Sequence, residues 1–260
     1  MSAIRKFNRE LMEVSAARGF WLKPLGIVSG YITWLVMTHL YSPHEQVPRV
    51  LIVGGFHGEE VAGPWAILKW MQEASDLDFT RFNVSFIPIV NPYGFARNKR
   101  YGESGIATNG GFGSNRKQDP SPEGQLLVNN IGVLRPLAEN GFMSLHEDNT
   151  VRESYIYTQE TSEKPTAFTK TLRREMSKHF PKVYDGVAYV DMIAPSAGPE
   201  CKKGVVYNFF DEGFETLLFQ LGVPKTLVTE TPGKSPLKKR VEAQVAMINK
   251  FLELCEVTHG

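Results

Sequence analysis

Apolar runs of strand length recur along the chain at residues 26–27, 31–37, 49–53, 83–90, 141–145, 154–158, 205–209 and 225–229. Between and around them, apolar residues at helical spacing predict helices over 4–18, 61–74, 122–139, 166–179 and 237–254. The apolar stretch 26–37 is broken by Ser29-Gly30, which reads as the turn of a hairpin. Ser121-Pro122-Glu123 is a helix start: a capping hydroxyl, a first-turn proline and an acid near the positive end of the helix. Ser235-Pro236 gives the last helix the same signal. Strands alternating with long helices predict a mixed or mostly parallel sheet covered on both faces, that is, an α/β fold. Two stretches break this rhythm, 91–120, rich in Gly, Asn and Arg, and 185–203, with two prolines and two glycines. Long irregular segments inside a compact fold usually carry function.

Length and charge narrow the picture. A chain of 260 residues can bury a large core and fits one domain over 1–260, with the helix over 4–18 packed on it. The net charge of +1, without a basic block, argues against nucleic acid or an anionic membrane as partner. Cys201 and Cys255 form no Cys-x-x-Cys pair, and reduced thiols in the cytoplasm are the expected state. Residues 1–13 mix charged and apolar positions and lack the continuous apolar core of a signal peptide. The stretch 26–37 is too short to span a bilayer.

The chemistry gathers where apolar strands end. His57-Gly58-Glu59-Glu60 follows the run Val50-Leu51-Ile52-Val53 and the turn pair Gly54-Gly55. A His and a Glu so spaced can offer an imidazole nitrogen and a carboxylate oxygen to one divalent metal. The pattern is too short to be specific alone; Glu60 also suits a helix start and His57 a loop. His146 closes the segment 141–145, at the end of a second strand. In an open α/β sheet, ligands collect in the crevice beyond the carboxyl ends of the strands. His57, Glu60 and His146 would there form a His₂Glu site with a fourth position for water, as a catalytic zinc requires. Glu230 ends a third strand, Thr226-Leu227-Val228-Thr229, where a carboxylate can take a proton from water and return it to a leaving amine. Arg97, Arg100, Asn115 and Arg116 lie in the Gly-rich loop, and arginine suits a carboxylate or a developing oxyanion.

Taken in order, Gly55-Phe56-His57-Gly58-Glu59-Glu60, Asn91-Pro92-Tyr93-Gly94, Arg100, Asn115-Arg116, Leu145-His146-Glu147 and Thr229-Glu230 resemble the zinc carboxypeptidase superfamily. That family includes metallocarboxypeptidases, murein peptide amidases and the succinylglutamate desuccinylase/aspartoacylase branch. The resemblance runs from about Gly26 to the C-terminus. It implies a three-layer α/β/α sandwich around a mixed sheet of eight strands, and one Zn²⁺ per chain held by His57, Glu60 and His146. It implies further that Arg100 polarises the scissile carbonyl, that Asn115 and Arg116 grip a terminal carboxylate, and that Glu230 is the general base. Arg100 is preferred to Arg97 for its place nine residues after Asn91. The chain departs from the family pattern at Gly113, where an Asp usually supports a zinc-bound His. The family's mobile tyrosine has two candidates, Tyr207 first and Tyr189 second.

The segment 57–67, with Gly63-Pro64, is most similar to the desuccinylase/aspartoacylase branch, whereas the ending after Glu230 is short and helical, as in carboxypeptidases and murein amidases. The expected reaction is hydrolysis of an amide next to a free carboxylate in a small peptide. Hydrolysis of an N-acyl amino acid is the runner-up, and a binding module without catalysis is the alternative of another class. The specificity wall is expected between residues 188 and 207. Lys202-Lys203 there reads as an exposed pair, and the oligomeric state is left open.

Overall fold

A computed structural model describes residues 2–38, 47–75, 80–113, 118–188 and 198–256. Its frame is an eight-stranded sheet in the order β1-β2-β4-β3-β5-β10-β6-β9. The centre is parallel: β4 (Asn83–Ile87), β3 (Arg49–Gly54), β5 (Gly141–Asp148) and β10 (Lys225–Pro232) run side by side in one direction. The antiparallel hairpin of β1 (Trp21–Val28) and β2 (Tyr31–Met37) joins one side through β4. On the other side β6 (Tyr155–Glu160) runs antiparallel to β10, and β9 (Val205–Tyr207) runs parallel to β6. The sheet is therefore mixed, with four parallel and three antiparallel pairings. A separate two-stranded ribbon pairs β7 (Gly186–Val187) with β8 (Glu200–Cys201).

Alternation along the central strands explains why both faces are covered. Val50 and Ile52 of β3, with Met143 and Leu145 of β5, pack under α1 (Ala3–Arg18), α2 (Ala62–Glu73), α6 (Ala167–His179) and α8 (Leu237–Cys255). Leu51 and Val53, with Phe142, face α4 (Pro122–Asn129), α5 (Ile131–Leu137) and α7 (Phe214–Gln220). Successive residues of a strand point to opposite faces, so near-continuous apolar runs are what a sheet buried on both sides demands. The result is the three-layer α/β/α arrangement. No helix among the described residues is long and apolar enough to cross a membrane.

Several local expectations meet the structure with differences. Ser29 and Gly30 form the hairpin turn, with φ of 51° and 77°, the left-handed pair a two-residue turn needs. β1 starts earlier than its apolar pattern indicates, because Lys23 and Pro24 interrupt the pattern without ending the strand. Proline is tolerated there on the sheet edge, where the register shifts between Pro24 and Gly26. Ser121 caps α4 as expected, its hydroxyl accepting from Gly124 N–H at 3.1 Å. The single helix predicted over 122–139 is split at Asn130, whose side chain donates to the Leu126 carbonyl at 2.8 Å. Ser235 does not cap α8; Pro236 occupies the cap position and no side chain bonds there. The segment after Asn91 contains α3 (Pro92–Arg97), capped by Asn91 with Pro92 in its first turn.

The first helix is fastened to the layer beside the connection from β3 to α2. Phe7 is buried, edge-on to Trp65 of α2 at 5.1 Å and to Phe95 of α3 at 5.7 Å. Phe7→Ala is expected to lower the unfolding free energy by about 3–5 kcal/mol in a denaturant titration, the usual cost of emptying a buried aromatic site. A loss within about 0.5 kcal/mol, as at surface positions, would mean that α1 is not part of the core.

Candidate metal centre

Two of the candidate ligands come from the connection between β3 and α2. β3 ends at Gly54, and Gly55 turns the chain with φ of 63°, a conformation glycine adopts freely. Gly58 then passes so close to α3 that a Cβ on it would lie 2.0 Å from the Gly94 carbonyl carbon. Its N–H donates to the Arg100 carbonyl at 3.1 Å, and the Glu60 N–H closes back onto the His57 carbonyl at 3.2 Å. This tight passage folds Glu60 beside His57. The third residue arrives by register: Gly54 lies opposite Leu145, so His146 is the first residue of β5 beyond the end of β3.

The three side chains are almost sealed from solvent, with His57 5%, Glu60 2% and His146 3% exposed. Glu60 Oε1 lies 2.7 Å from His57 Nδ1, and Oε2 lies 2.9 Å from His146 Nδ1. The two Nδ1 atoms are 3.3 Å apart. Donors bound at ~2.0–2.1 Å in a tetrahedral zinc site stand roughly 3.3 Å from one another. The imidazoles already hold that spacing, and the carboxylate would have to draw back only slightly. Two imidazoles and one carboxylate, converging and buried, fit a zinc-type cation. Among the described residues this is the one such cluster of His, Cys, Asp or Glu.

Electrostatics favour the ligating forms. Burial alone pushes the Glu60 carboxyl up, but the charges and hydrogen bonds of His57 and His146 outweigh it and hold Glu60 well below its ordinary range. Burial moves His146 down against the opposing attraction of Glu60, which favours the neutral imidazole that binds metals. Phe56 stacks almost parallel to the His146 ring, at 5.7 Å and 10°. The Glu147 backbone N–H donates to Glu60 Oε2 at 3.2 Å.

Arg100 reaches this cluster and Arg97 does not. Arg100 Nη1 donates to Glu60 Oε1 at 3.0 Å and to Glu59 Oε1 at 3.4 Å. Its carbonyl is held by the Gly58 N–H and by Asn91 Nδ2 at 3.0 Å, while Asn91 Oδ1 caps α3 through Gly94 N–H at 2.7 Å. The nine-residue offset from Asn91 to Arg100 thus has a mechanical cause: one side chain caps the helix and fixes the arginine. Arg97 instead donates to the Tyr31 hydroxyl at 3.0 Å and lies over the Tyr93 ring.

Glu230 stands opposite His146 in the parallel pairing of β10 with β5, and opposite Tyr155 in the antiparallel pairing with β6. Its carboxyl is raised well above the ordinary range, by burial first and then by the charges of Glu60 and Asp148, with Arg100 opposing. Asp148 itself accepts a hydrogen bond from the Tyr155 hydroxyl at 2.7 Å. Tyr207 is not brought to the cluster. It lies on β9, three strands from β5, and its hydroxyl donates to the Ser162 carbonyl at 2.8 Å. Asn115, Arg116 and Tyr189 lie outside the described residues, as do residues 189–197 of the expected specificity wall.

The sequence pattern did not single out a further acid near His57. Gly113 has a φ of 89°, and among the described residues a Cβ built there would meet Gln220 Oε1 at 3.7 Å. An acid nevertheless lies within electrostatic reach of His57: Glu215, in the first turn of α7. Phe214 of that turn packs against Phe56 at 6.3 Å, next to His57 in the chain. Asn109 joins the two segments, accepting from Phe214 N–H at 3.0 Å and donating to Glu215 Oε2 at 3.2 Å. The signal was the spacing of Phe214, Leu217 and Leu218, too short a period to stand out between two strands.

Comparison with known proteins bears on the family and the fold. A family model described as the succinylglutamate desuccinylase/aspartoacylase catalytic domain matches residues 46–126. The chain is similar in structure to a candidate metallopeptidase from Shewanella baltica OS155, with 34% sequence identity, coverage of 97% of this chain and 92% of that one, and a TM-score of 0.89. A second candidate metallopeptidase, from Shewanella amazonensis SB2B, shares 33% identity over 98% of this chain and 94% of that one, with a TM-score of 0.88. A metallo-carboxypeptidase from Burkholderia cenocepacia shares the fold at 14% identity, over 95% of this chain and 68% of that one, with a TM-score of 0.71. No curated protein matches the chain.

The buried acid of α7 gives a pH test. Burial and the neighbouring Asp211 push Glu215 from 4.5 up to about 8. A carboxyl raised in the folded state favours folding below its unfolded value, and that contribution is lost as pH rises through the folded one. In chelator-treated protein, the melting temperature of wild type is therefore expected to fall relative to Glu215→Gln as pH rises from 4.5 to about 8. A difference that stays constant across that window would contradict this assignment.

Proposed function

The chain belongs to the zinc carboxypeptidase superfamily, and from that premise we propose that it hydrolyses an amide bond next to a free carboxylate in a small peptide. The observation that carries the proposal is the convergence of His57, Glu60 and His146, with Glu230 opposite His146 on the next strand. The enzyme is a hydrolase; the roles of its residues follow from what each can do at its position. Zinc held by His57, Glu60 and His146 would supply Lewis acidity, polarising a carbonyl and acidifying water.

Glu230, as the carboxylate, accepts a proton from the attacking water as the new C–O bond forms. It then returns that proton to the amine nitrogen as the C–N bond breaks, so the base is regenerated each turn. Its carboxyl is raised by burial and by the charges of Glu60 and Asp148, with Arg100 opposing; a dication held beside it would favour the carboxylate that a base requires. Arg100 offers a guanidinium to the oxyanion that develops on the carbonyl, and preformed donors act most strongly where water is excluded. In the resting site it is held on Glu60 and Glu59, close to the ligands it would serve. Asn115 and Arg116 are proposed to grip the substrate's terminal carboxylate, a bidentate task that suits arginine.

The match of residues 46–126 to the desuccinylase/aspartoacylase catalytic domain supports a second reading, hydrolysis of an N-acyl amino acid. The two share the scissile amide and the adjacent carboxylate, and differ in what lies on the acyl side. The relation to the Shewanella candidate metallopeptidases over nearly the whole chain favours the peptide.

A panel of C-terminal peptides, muropeptides and N-acyl amino acids, assayed with zinc analysis, tests this. Wild type is expected to carry about one zinc per chain, as a three-ligand site implies. Glu230→Gln is expected to keep the metal while kcat falls roughly 10²–10⁴-fold, the usual contribution of a general base. An active Glu230→Gln, or full zinc in His57→Ala, would contradict the assignment.

A further inference from the structure

The helix α8 meets the metal centre from behind, through two side chains one turn apart. Gln244 is wholly buried in a helix face otherwise made of Ala243, Met247, Ile248 and Phe251. Its Nε2 donates to the His146 carbonyl at 3.0 Å, and its Oε1 accepts from the Thr229 hydroxyl at 2.7 Å. Thr229 immediately precedes Glu230, and it pairs with Leu145, which immediately precedes His146. One amide therefore spans the ends of the two strands that carry a metal ligand and the base. Arg240, four residues earlier, pairs with Glu147 Oε2 and donates through Nε to the Ser235 carbonyl at 2.8 Å. The other Glu147 oxygen accepts from the N–H of Ala62, the first residue of α2, at 2.8 Å. The Glu147 backbone N–H in turn holds Glu60.

These contacts are poorly explained by stability alone. A buried amide costs desolvation that its hydrogen bonds only offset, and an apolar residue would fill the space as well. A buried ion pair is likewise weak support for a fold, yet it is directional. Groups that hydrogen-bond behind metal ligands orient them and tune their affinity.

We propose that Arg240 and Gln244 are positioning residues for the metal centre: Gln244 sets His146 and Glu230 relative to each other, and Arg240, acting through Glu147, sets the Glu60 loop at the start of α2. The proposal rests on the metal-hydrolase reading above and adds the helix that holds the site in register.

Gln244→Met, which keeps the length and removes both hydrogen bonds, tests it in the full chain. Zinc affinity, measured by competition with a chromophoric chelator, is expected to weaken about 10- to 100-fold, with a loss of kcat in the zinc-saturated enzyme. Thr229→Val, which removes the hydroxyl bonded to Gln244 and to the Ser144 carbonyl without substituting α8, is expected to weaken zinc binding in smaller measure, and Thr229→Ser to restore it. Met247→Ala, on the same helix face and without a polar contact, is expected to lower the melting temperature while leaving zinc affinity unchanged. Wild-type zinc affinity in both Gln244→Met and Thr229→Val would overturn the proposal alone. So would an equal loss in Met247→Ala, which would make the effect general to the helix. A wild-type protein that binds no zinc would overturn the metal-hydrolase reading and this one with it.

Discussion

A carboxylate that is almost completely buried must be met by positive charge or hydrogen-bond donors, because the cost of dehydrating it is otherwise too large for a fold of ordinary stability. Glu60 is that carboxylate. Its oxygens are divided between His57 and His146, with Arg100 and the Glu147 backbone N–H completing the surround. These four partners come from three segments: His57 from the β3–α2 connection, His146 and Glu147 from the end of β5, and Arg100 from the loop beyond α3. Satisfying one side chain therefore requires the centre of the sheet to be in register and the Asn91-capped loop to be in place. A cation among the same atoms would take over the charge balance that the imidazoles and the guanidinium provide here.

The sheet explains why those segments meet. Strands β3, β5 and β10 are parallel neighbours, so their carboxyl ends open at the same edge. A one-residue slip would turn His146 or Glu230 to the opposite face, and burial on both faces prevents it. Glycines make the final approach: Gly55 turns the chain, and Gly58 brings its backbone against α3 more closely than any side chain allows.

Much of this was legible in the sequence, for a physical reason. Strand ends are marked by the apolar runs before them, so His57, His146 and Glu230 could each be placed at the same kind of position without knowing the strand order. The order and the mixed pairing needed the structure, since apolar pattern alone does not distinguish parallel from antiparallel neighbours. Arg100 could be separated from Arg97 only by family resemblance, and the structure supplies the cause in the two bonds of the Asn91 side chain. Tyr207 looked suitable by its distance along the chain, but it lies on β9, three strands from β5, with β10 and β6 between. Glu215 and Gln244 were hidden because each sits in a helical pattern that has a sufficient explanation as packing. Their chemical meaning comes from what faces them, which no local pattern records.

X-ray absorption at the zinc edge tests the central claim, that His57, Glu60 and His146 together hold the metal, without reference to turnover. The account predicts a first shell of nitrogen and oxygen only, at about 2.0–2.2 Å, with the outer scattering of two imidazoles. A sulfur shell at about 2.3 Å, which would place the metal on Cys201 or Cys255, or a shell without imidazole scattering, would contradict it.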